Sequence, residues 1–440
     1  MRRRTPALIT LAVAAVAAGI AVPVLAFSGQ NAPPATASPI ADAPGSGQSV
    51  VDWNKRLVTI LGTPGAQPAP VHPTRSLAML QAAEYNAVVS ITHGASPYHA
   101  AVPAPSDARP DAAADQAAHD VLAALYPAMR ADLDTQLATE LAALPTGTPT
   151  QDGIQVGAAA AQQIVGLRSA DGSTATAPPF AAGGQPGNYR PTPPKFGAPM
   201  FQTWGTVTPF VLPSAQQFRP ATPPAVTSAD YATALAEVRS LGRDTSTTRT
   251  PDETVSGKFW SSTPIWITWN QVTQQLTLDR HASLADTTAV FSSLDLALAD
   301  TTIALYDGKY HDPIWRPVTA IQLGVPTANP AIAADATWNP LTPTAGDPSY
   351  PGAHSALSEA AATVLTDFYG PNQPVQVTAK ADPGVTRSFT TLAAAADEAG
   401  LSRIWAGQHT RIDHQAGQQL GNQVAVAVLH ALPTPRPNAG

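Results

Sequence analysis

The stretch LSRIWAGQHTRIDHQAGQQLG, residues 401–421, brings a cation, an imidazole and a carboxylate within about three helical turns. These groups belong to Arg403, His409 and Asp413. On a continuous helical turn His409 and Asp413 share a face, so the carboxylate can accept a hydrogen bond from one ring nitrogen. The other nitrogen is then free to attack phosphorus or to coordinate a metal centre. The alternative is an amphipathic helix with a surface histidine and an ordinary ion pair.

Two glycines end this stretch, Gly417 and Gly421, and their spacing allows a second helix to pack closely. The composition also predicts helices elsewhere, because Ala is abundant, only 12% of the residues are charged, and 45 are Pro. We therefore predict Ala-rich helices joined by long proline-rich loops. Helical spacing of apolar residues places helices at residues 50–61, 76–91, 111–144 with a break at Pro127, 157–167, 229–241, 259–276 and 283–306.

One long segment, residues 175–226, is rich in proline and aromatic residues and is predicted to be a loop. Loops longer than about 15 residues in a compact domain are usually functional or disordered, and the aromatic side chains argue against disorder. We interpret this loop as one wall of a binding cleft. Simple surface cladding of the helices is the alternative.

The N-terminus has the pattern of a targeting segment. Basic residues from Arg2 to Arg4 precede an apolar run from about Ala7 to Ala26, which ends in small residues. This pattern predicts a secretory signal peptide at residues 1–26 and a secreted, extracellular mature protein. A retained membrane anchor is the alternative, because the run is about long enough to span a bilayer. No later segment is expected to span a membrane.

The charge and cysteine counts bear on partners and compartment. A formal net charge of −7 makes nucleic acids and anionic membranes poor ligands, so we expect neither as a partner. The chain has no cysteine, which fits export but does not by itself identify the compartment. Homodimer formation is left open by the sequence.

A second informative stretch is YDGKYHDPIWRPVTAI, residues 306–321, in which Lys309 and Arg316 are seven positions apart. On one helix the two cations would lie on the same side, two turns apart. Pro313 makes an unbroken helix unfavourable, so the cations would have to meet through a turn. The alternative is a solvated helix end with scattered basic residues.

The third stretch is DPSYPGAHSALSEAAATVLTDFYG, residues 347–370. It predicts a strong helix that begins near Gly352 and Ala353. Unpaired amides at a helix start bind oxyanions, and these two small residues would let a ligand approach. His354 would then lie beside the anion as a proton donor, whereas the alternative is a capping or surface histidine.

Together the three stretches resemble the superfamily that unites vanadium-dependent haloperoxidases with type-2 phosphatidic acid phosphatases and bacterial acid phosphatases. Its signature runs K-x6-R-P, then P-S-G-H, then S-R-x5-H-x3-D. The first element matches from Lys309 to Arg316, and the third matches in full from Arg403 to Asp413. The second is PGAH at residues 351–354, with two departures. Through WRPVTAI and FRPATPP the chain also resembles the soluble bacterial haloperoxidase-like branch, which implies an all-α protein built from helical bundles.

The resemblance implies a role for each of these residues. A tetrahedral oxyanion, vanadate or phosphate, would be surrounded by Lys309, Arg316, Gly352, Ala353 and Arg403. His409 would be the single protein ligand to vanadium, or the nucleophile toward phosphorus, and Asp413 would hold it in place. His354 would be the opposing acid or base.

The same pocket can serve two reactions, because five-coordinate vanadate imitates the transition state of phosphoryl transfer. The resemblance to the soluble branch predicts a secreted vanadium-dependent haloperoxidase that oxidises halide with hydrogen peroxide at a His-ligated vanadate. One alternative is a secreted acid phosphatase that acts on a phosphate ester through a phosphohistidine and needs no vanadate. The other is a non-catalytic relative that binds an oxyanion.

Three departures from the family pattern count against halide oxidation. Gly352 replaces the family serine, and Ala353 replaces the family glycine. Asp347 occupies the place, seven residues before His354, where haloperoxidases tend to carry an aromatic residue or a histidine. A carboxylate at that place should repel a halide unless it is paired or protonated.

A zinc or iron site formed by His409, Asp413 and His414 is disfavoured. Adjacent residues point about 100 degrees apart on a helix, so the three side chains would not converge easily. The predicted organisation of the chain is a signal peptide at 1–26, a disordered linker at 27–48, an N-terminal helical region at 49–280, a haloperoxidase/phosphatase-like helical core with the oxyanion site at 281–433, and a tail at 434–440.

Overall fold

The computed structural model describes residues 46–324, 333–379 and 384–432. The predicted signal peptide, the linker as far as residue 45 and the tail lie outside these ranges. Within them the chain folds into thirteen α-helices and one two-stranded antiparallel sheet, so the expected all-α class is confirmed.

The first group of helices precedes the long loop: α1 (Gln48–Leu61), α2 (Pro73–Thr92), α3 (Pro110–Leu125), α4 (Arg130–Ala142) and α5 (Thr148–Leu167). The remaining elements follow it: α6 (Ala229–Leu241), α7 (Pro251–Ser262), α8 (Ile265–Asp279), α9 (Leu284–His311), α10 (Pro317–Leu323), α11 (Ala353–Tyr369), β1 (Val375–Thr378), β2 (Thr386–Phe389), α12 (Leu392–Trp405) and α13 (Arg411–Ala431).

Helix α9 packs against α2, α8, α11 and α13 and connects the two halves of the described chain. Its start is capped by the Ser283 hydroxyl, which accepts a hydrogen bond from the Asp286 amide. Among the described residues α9 is long and apolar enough to cross a membrane, but its apolar window is wholly buried in protein. The same burial holds Lys309, in the last turn, inside the molecule.

One hydrophobic core extends across both predicted helical regions. Its buried side chains include Ala82 on α2, Phe291 on α9 and Leu420 on α13. Contacts of this kind between distant segments join the two regions through a shared interior. The site described below therefore lies on a frame to which both regions contribute.

Close packing of α13 against α11, predicted from the glycine spacing, is confirmed. A Cβ atom added at Gly421 would lie 2.0 Å from the carbonyl oxygen of Ala356, and one added at Gly417 would lie 2.4 Å from that of Gly352. No side chain fits in either place, because real Cβ contacts are longer. The two glycines therefore bring the first turn of α13 beside the start of α11.

The long loop at residues 175–226 lies along α9 and contains one short 3-10 turn, Trp204–Thr206. The buried Asp300 carboxylate accepts hydrogen bonds from three consecutive amides, Phe210 to Leu212, at 2.6 to 2.8 Å. Further along, Arg219 pairs with Asp307 at 2.6 Å. These bonds satisfy buried backbone groups of the loop and hold it against the helix.

The predicted single helix at residues 259–276 is wrong. Helix α7 ends at Ser262 and α8 begins at Ile265, because the chain is extended at Thr263 and Pro264. Proline disfavours the helical conformation of the residue before it, so Pro264 was the available signal. The strands β1 and β2 were not predicted, since four residues each are too few for an alternating pattern to be recognised.

Candidate active site

The stretch at residues 401–421 folds as two helices joined by a turn, so the expected continuous helical turn from His409 to Asp413 is wrong. Helix α12 ends at Trp405, and Gly407 adopts a φ of +77°, a conformation that favours glycine. Helix α13 begins at Arg411, where Thr410 and Asp413 form a capping box. His409 therefore lies in the turn, and Asp413 lies in the first turn of the next helix.

His409 and Asp413 are nevertheless brought together. The Nδ1 atom of His409 lies 3.4 Å from Asp413 Oδ2. The same carboxylate oxygen accepts hydrogen bonds from the Thr410 amide and the Ser349 hydroxyl, each at 2.7 Å. Ser349 Oγ is also 3.4 Å from His409 Nδ1. A buried carboxylate that accepts several hydrogen bonds stays ionised, and the pKa of Asp413 is lowered although burial opposes this.

The other ring nitrogen of His409 faces the cations. Nε2 lies 3.1 Å from Nη1 of Arg316, which is always a donor, so Nε2 accepts and the ring proton resides on Nδ1. Burial, together with the charge of Arg316, lowers the pKa of His409 to about 3. At neutral pH the ring is therefore neutral and presents a lone pair at Nε2. This is the state in which an imidazole binds a metal or attacks phosphorus.

Lys309 and Arg316 meet around the carboxylate of Asp347. Arg316 donates from Nε to the backbone carbonyl of Asp347 at 2.7 Å and from Nη2 to the side-chain Oδ1. Lys309 Nζ lies 3.4 Å from Oδ2 and donates to the carbonyls of Pro348 and Ser349. Burial acts to raise the pKa of Asp347, but the two cations hold it at about 2. The carboxylate is thus ionised and paired.

Arg403 is the cation in this group that has no carboxylate partner in the part of the chain that the structure describes. It is 7% exposed, and its Nη1 atom donates to the hydroxyl of Ser261 at the end of α7. Its Nε atom is buried without a hydrogen-bond partner. Burial, with the like charge of Arg316 nearby, lowers the pKa of Arg403 to about 9. An unpaired buried cation is costly, so an anion bound beside it would be strongly favoured.

A second buried donor without a partner is the hydroxyl of Tyr189, from the long loop. Burial raises the pKa of Tyr189 to about 12, and the charges of Arg316 and Asp347 also act on it. Tyr189 is held near the site because its amide donates to the carbonyl of Pro313 at 2.7 Å. Two unsatisfied donors beside the cations fit a tetrahedral oxyanion, which accepts hydrogen bonds on every oxygen.

Of the two amides predicted to bind the oxyanion at the start of α11, that of Gly352 is occupied and that of Ala353 has no partner within the helix. The Gly352 amide donates to the backbone carbonyl of Asp413 at 2.8 Å, so it is not available to an anion. Ala353 is the first residue of the helix, where amides have no partner within the helix. The Gly352 bond joins α11 directly to α13, and it fixes the position of Asp413.

His354 also lies within electrostatic reach of Arg403, His409 and Arg316, whose charges act on its pKa. Its Nε2 atom is 3.0 Å from the carbonyl of Trp260, which can only accept, so the ring proton points at that carbonyl. Burial lowers the pKa of His354 well below its ordinary value. The ring therefore offers a lone pair at Nδ1 rather than a proton, which suits a base better than the expected proton donor.

Two other histidines lie elsewhere. His414 bonds to Ser355 on α11 at 2.9 Å and lies 3.4 Å from Asp397, so it ties α11 to α12. His311 lines a separate cavity with Asp307 and Arg219. The described residues contain no group of three or more His, Cys, Asp or Glu side chains that could hold a metal ion.

A cavity of about 680 Å³ lies next to the site. It is lined by loop residues between 192 and 200 and by residues between 339 and 346, the last of which, Gly346, precedes Asp347. Thr342, also in the lining, accepts a hydrogen bond from Gln408, the residue before His409. The long loop thus forms one wall of a cavity beside the site, and its role in binding stays a prediction.

Three residues that contact the site were not found from the sequence: Ser349, Ser261 and Gln408. Ser349 and Ser261 bond to partners 64 and 142 positions away along the chain, so no local pattern marks them. The Gln408 carbonyl accepts from Arg316 at 3.0 Å. Only the capping box of Thr410 and Asp413 had a readable signal, the T-x-x-D spacing.

Comparison with known proteins agrees with this geometry. Residues 289–434 match the family model of the VCPO second helical-bundle domain. The structure titled as the first bacterial vanadium-dependent iodoperoxidase has a TM-score of 0.78 and 24% identity, covering 89% of this chain and 98% of that chain. A bacterial vanadium-dependent chloroperoxidase has TM-scores of 0.63 in both its holo and apo forms, at 16% and 14% identity. These two alignments cover 84% and 83% of this chain and 94% of each of the others.

No curated protein sequence matches the chain. The superfamily expected from the three motifs, that of the vanadium haloperoxidases and type-2 phosphatases, is confirmed for residues 289–434 by the family model, and the solved structures show that the fold is shared. At these identities the solved structures establish the fold, and the activity has to be argued from the site.

Proposed function

We propose that this protein is a vanadium-dependent haloperoxidase-like enzyme that binds vanadate at His409 and oxidises halide with hydrogen peroxide. The observation that carries the proposal is the buried Arg403 guanidinium, whose Nε atom has no partner and whose pKa is acted on by the charge of Arg316, the residue that contacts the neutral imidazole of His409. A pocket with this composition is suited to one small oxyanion and one nitrogen-ligated centre. The likeness to structures titled as vanadium-dependent peroxidases supports the choice of vanadate.

The site residues would have separate roles in binding the anion and in orienting His409. Arg403 and Lys309 would neutralise the anion, and so would Arg316. In the structure Arg316 Nη1 donates to His409 Nε2, so it would have to turn from that nitrogen to the anion to free the lone pair. Asp413 and Ser349 hold the proton on Nδ1, so the lone pair remains on Nε2. When bound, vanadate would supply the centre at which peroxide is activated and halide is oxidised. The low pKa of His409 keeps the ring unprotonated over the whole physiological range.

A second candidate is an acid phosphatase that acts through a phosphohistidine at His409. The observation that favours it is the ionised Asp347 carboxylate, which is paired with Lys309 and Arg316. Its negative charge disfavours the approach of a halide on that side, and the phosphatase reaction needs no halide. The third candidate is a non-catalytic oxyanion-binding relative. It is compatible with the pairing of Asp347 and with the Gly352 amide being occupied by the Asp413 carbonyl.

One set of assays separates the three. Purified protein is incubated with orthovanadate, peroxide and bromide, chloride or iodide, and separately with a chromogenic phosphate ester. The proposal expects halogenation that depends on vanadate, and vanadium bound in about equal amount to protein. Ester hydrolysis blocked by vanadate would support the phosphatase, and vanadate binding without either activity would support the non-catalytic relative.

The histidine assignment has its own control. His409→Ala should abolish both vanadate binding and activity. His430→Ala, in the exposed last turn of α13, should leave both unchanged. Full activity in the His409 variant would refute the assignment of His409 as the reactive residue.

We also propose that the protein is exported, on the strength of the basic and apolar pattern of residues 1–26. Expression of the full chain should give a protein in the culture medium whose N-terminus begins near residue 27. An intact N-terminus in the membrane fraction would instead support the retained anchor.

A further inference from the structure

The Asp347 carboxylate is part of the candidate oxyanion site. It is 5% exposed, and it contacts both Arg316 and Lys309, two of the three cations expected to hold the anion. Its Oδ1 atom is bonded to Arg316, while Oδ2 is met by Lys309 Nζ at 3.4 Å, which is long for a hydrogen bond. Oδ2 therefore retains capacity to accept a hydrogen bond from a ligand.

An oxyanion cannot use these two cations without meeting the carboxylate that shares them. Any anion bound to Arg316 and Lys309 must place an oxygen near Asp347, because the three side chains are in contact. A bare oxygen there would face a second negative oxygen in a buried place, where repulsion is poorly screened. An oxygen that carries a proton would instead donate a charge-assisted hydrogen bond to the carboxylate.

We infer that Asp347 makes the site selective for oxyanions that carry a proton, such as phosphate and vanadate, over fully deprotonated oxyanions, such as sulfate and molybdate. This inference rests on the proposed oxyanion site, and it names the chemical class that the site accepts. The four oxyanions have similar tetrahedral shapes, so the three cations alone would discriminate little between them. The discrimination would come from a single hydrogen bond that only a protonated ligand can make.

The inference can be tested by binding alone, without turnover. Inorganic phosphate, orthovanadate, sulfate and molybdate are titrated by calorimetry near neutral pH into the wild type and into Asp347→Asn. Because like charges brought together in a buried place repel, wild type should prefer phosphate and vanadate over sulfate and molybdate by at least about tenfold. Asp347→Asn should lose that preference through tighter binding of sulfate and molybdate.

A matched control is Asp307→Asn, which removes a carboxylate that pairs with Arg219 in the separate cavity lined by His311. Its binding preferences should equal those of the wild type. Equal affinity of the wild type for sulfate and phosphate would overturn the inference and leave the oxyanion site intact. That comparison needs no variant, so misfolding of Asp347→Asn could not hide it. Failure of the wild type to bind any of the four would refute the proposed site itself, and the inference with it.

Discussion

The close contact between α13 and α11 can be tested with Gly421→Ala. The added Cβ would lie 2.0 Å from the Ala356 carbonyl oxygen, whereas ordinary contact begins at 3.4 Å, so the helices must separate by about 1.4 Å. Both atoms belong to helical backbone or are fixed to it, so no side chain can rotate to relieve the contact. Overpacking of this kind costs about 1–3 kcal/mol of unfolding free energy.

The same separation should disturb the site, because the amide of Gly352 bonds to the carbonyl of Asp413 across this interface at 2.8 Å. A displacement near 1 Å at a binding constellation can cost about a hundredfold, so vanadate binding should weaken by about tenfold or more. Urea unfolding measures the stability, and calorimetry measures the binding.

The control for this experiment is Gly166→Ala in α5, where an added Cβ meets nothing within 4 Å. That variant should gain about 0.4–1 kcal/mol, since alanine lowers the entropy of the unfolded chain. It should bind vanadate as the wild type does. Equal stabilities for Gly421→Ala and the wild type would refute the reasoning about close packing.

Three further predictions concern single groups. Ser349→Ala removes the hydroxyl bonded to Asp413, so vanadate affinity should fall by about tenfold to a hundredfold while the fold survives, as calorimetry and circular dichroism would show. Arg403→Met removes an unpaired buried cation, so the protein without oxyanion should become more stable by about 1 kcal/mol or more, and the thermal shift on adding vanadate should disappear. Burial raises the pKa of Asp295 to about 8 and that of Asp115 to about 7, so the folded state keeps protons that the unfolded chain loses from about pH 4 upward. Stability should therefore fall as the pH rises to about 8, and Asp295→Asn should flatten that slope in urea unfolding measured across this range.

The sequence was informative where the physical cause is local. Helix α6 begins after Ser228, whose hydroxyl caps it, and its predicted bounds match the structure. The break at Pro127 and the close packing at Gly421 follow from the shape of single residues, and both are confirmed. The break at Pro264 has an equally local cause, because proline disfavours a helical conformation in the residue before it.

The motif spacing indicated residues that the structure brings close together, but it did not indicate how they pair. The motif spacing selected Lys309 and Arg316, but it could not show that Asp347 would be bound between them. That pairing depends on how the segment between α10 and α11 folds back against the end of α9. Such a contact is set by the tertiary structure and not by the local sequence. The bond from His354 to the Trp260 carbonyl has the same origin, and it reverses the expected direction of the histidine proton.

The charge pairs in the site assign two properties to different residues. The unpaired Arg403 is expected to govern how tightly any oxyanion binds, and the paired Asp347 is expected to govern which oxyanion is preferred. Lys309 and Arg316 already share a carboxylate, so a new anion gains less from them than from free cations. Arg403 has no such compensation, so the largest gain on binding is expected there. If this division holds, Arg403 variants should lose affinity for every oxyanion alike, whereas Asp347→Asn should remove the preference among oxyanions by binding sulfate and molybdate more tightly. The halide follows the same electrostatics, since it carries no proton to offer Asp347 and should therefore approach from the side of Arg403.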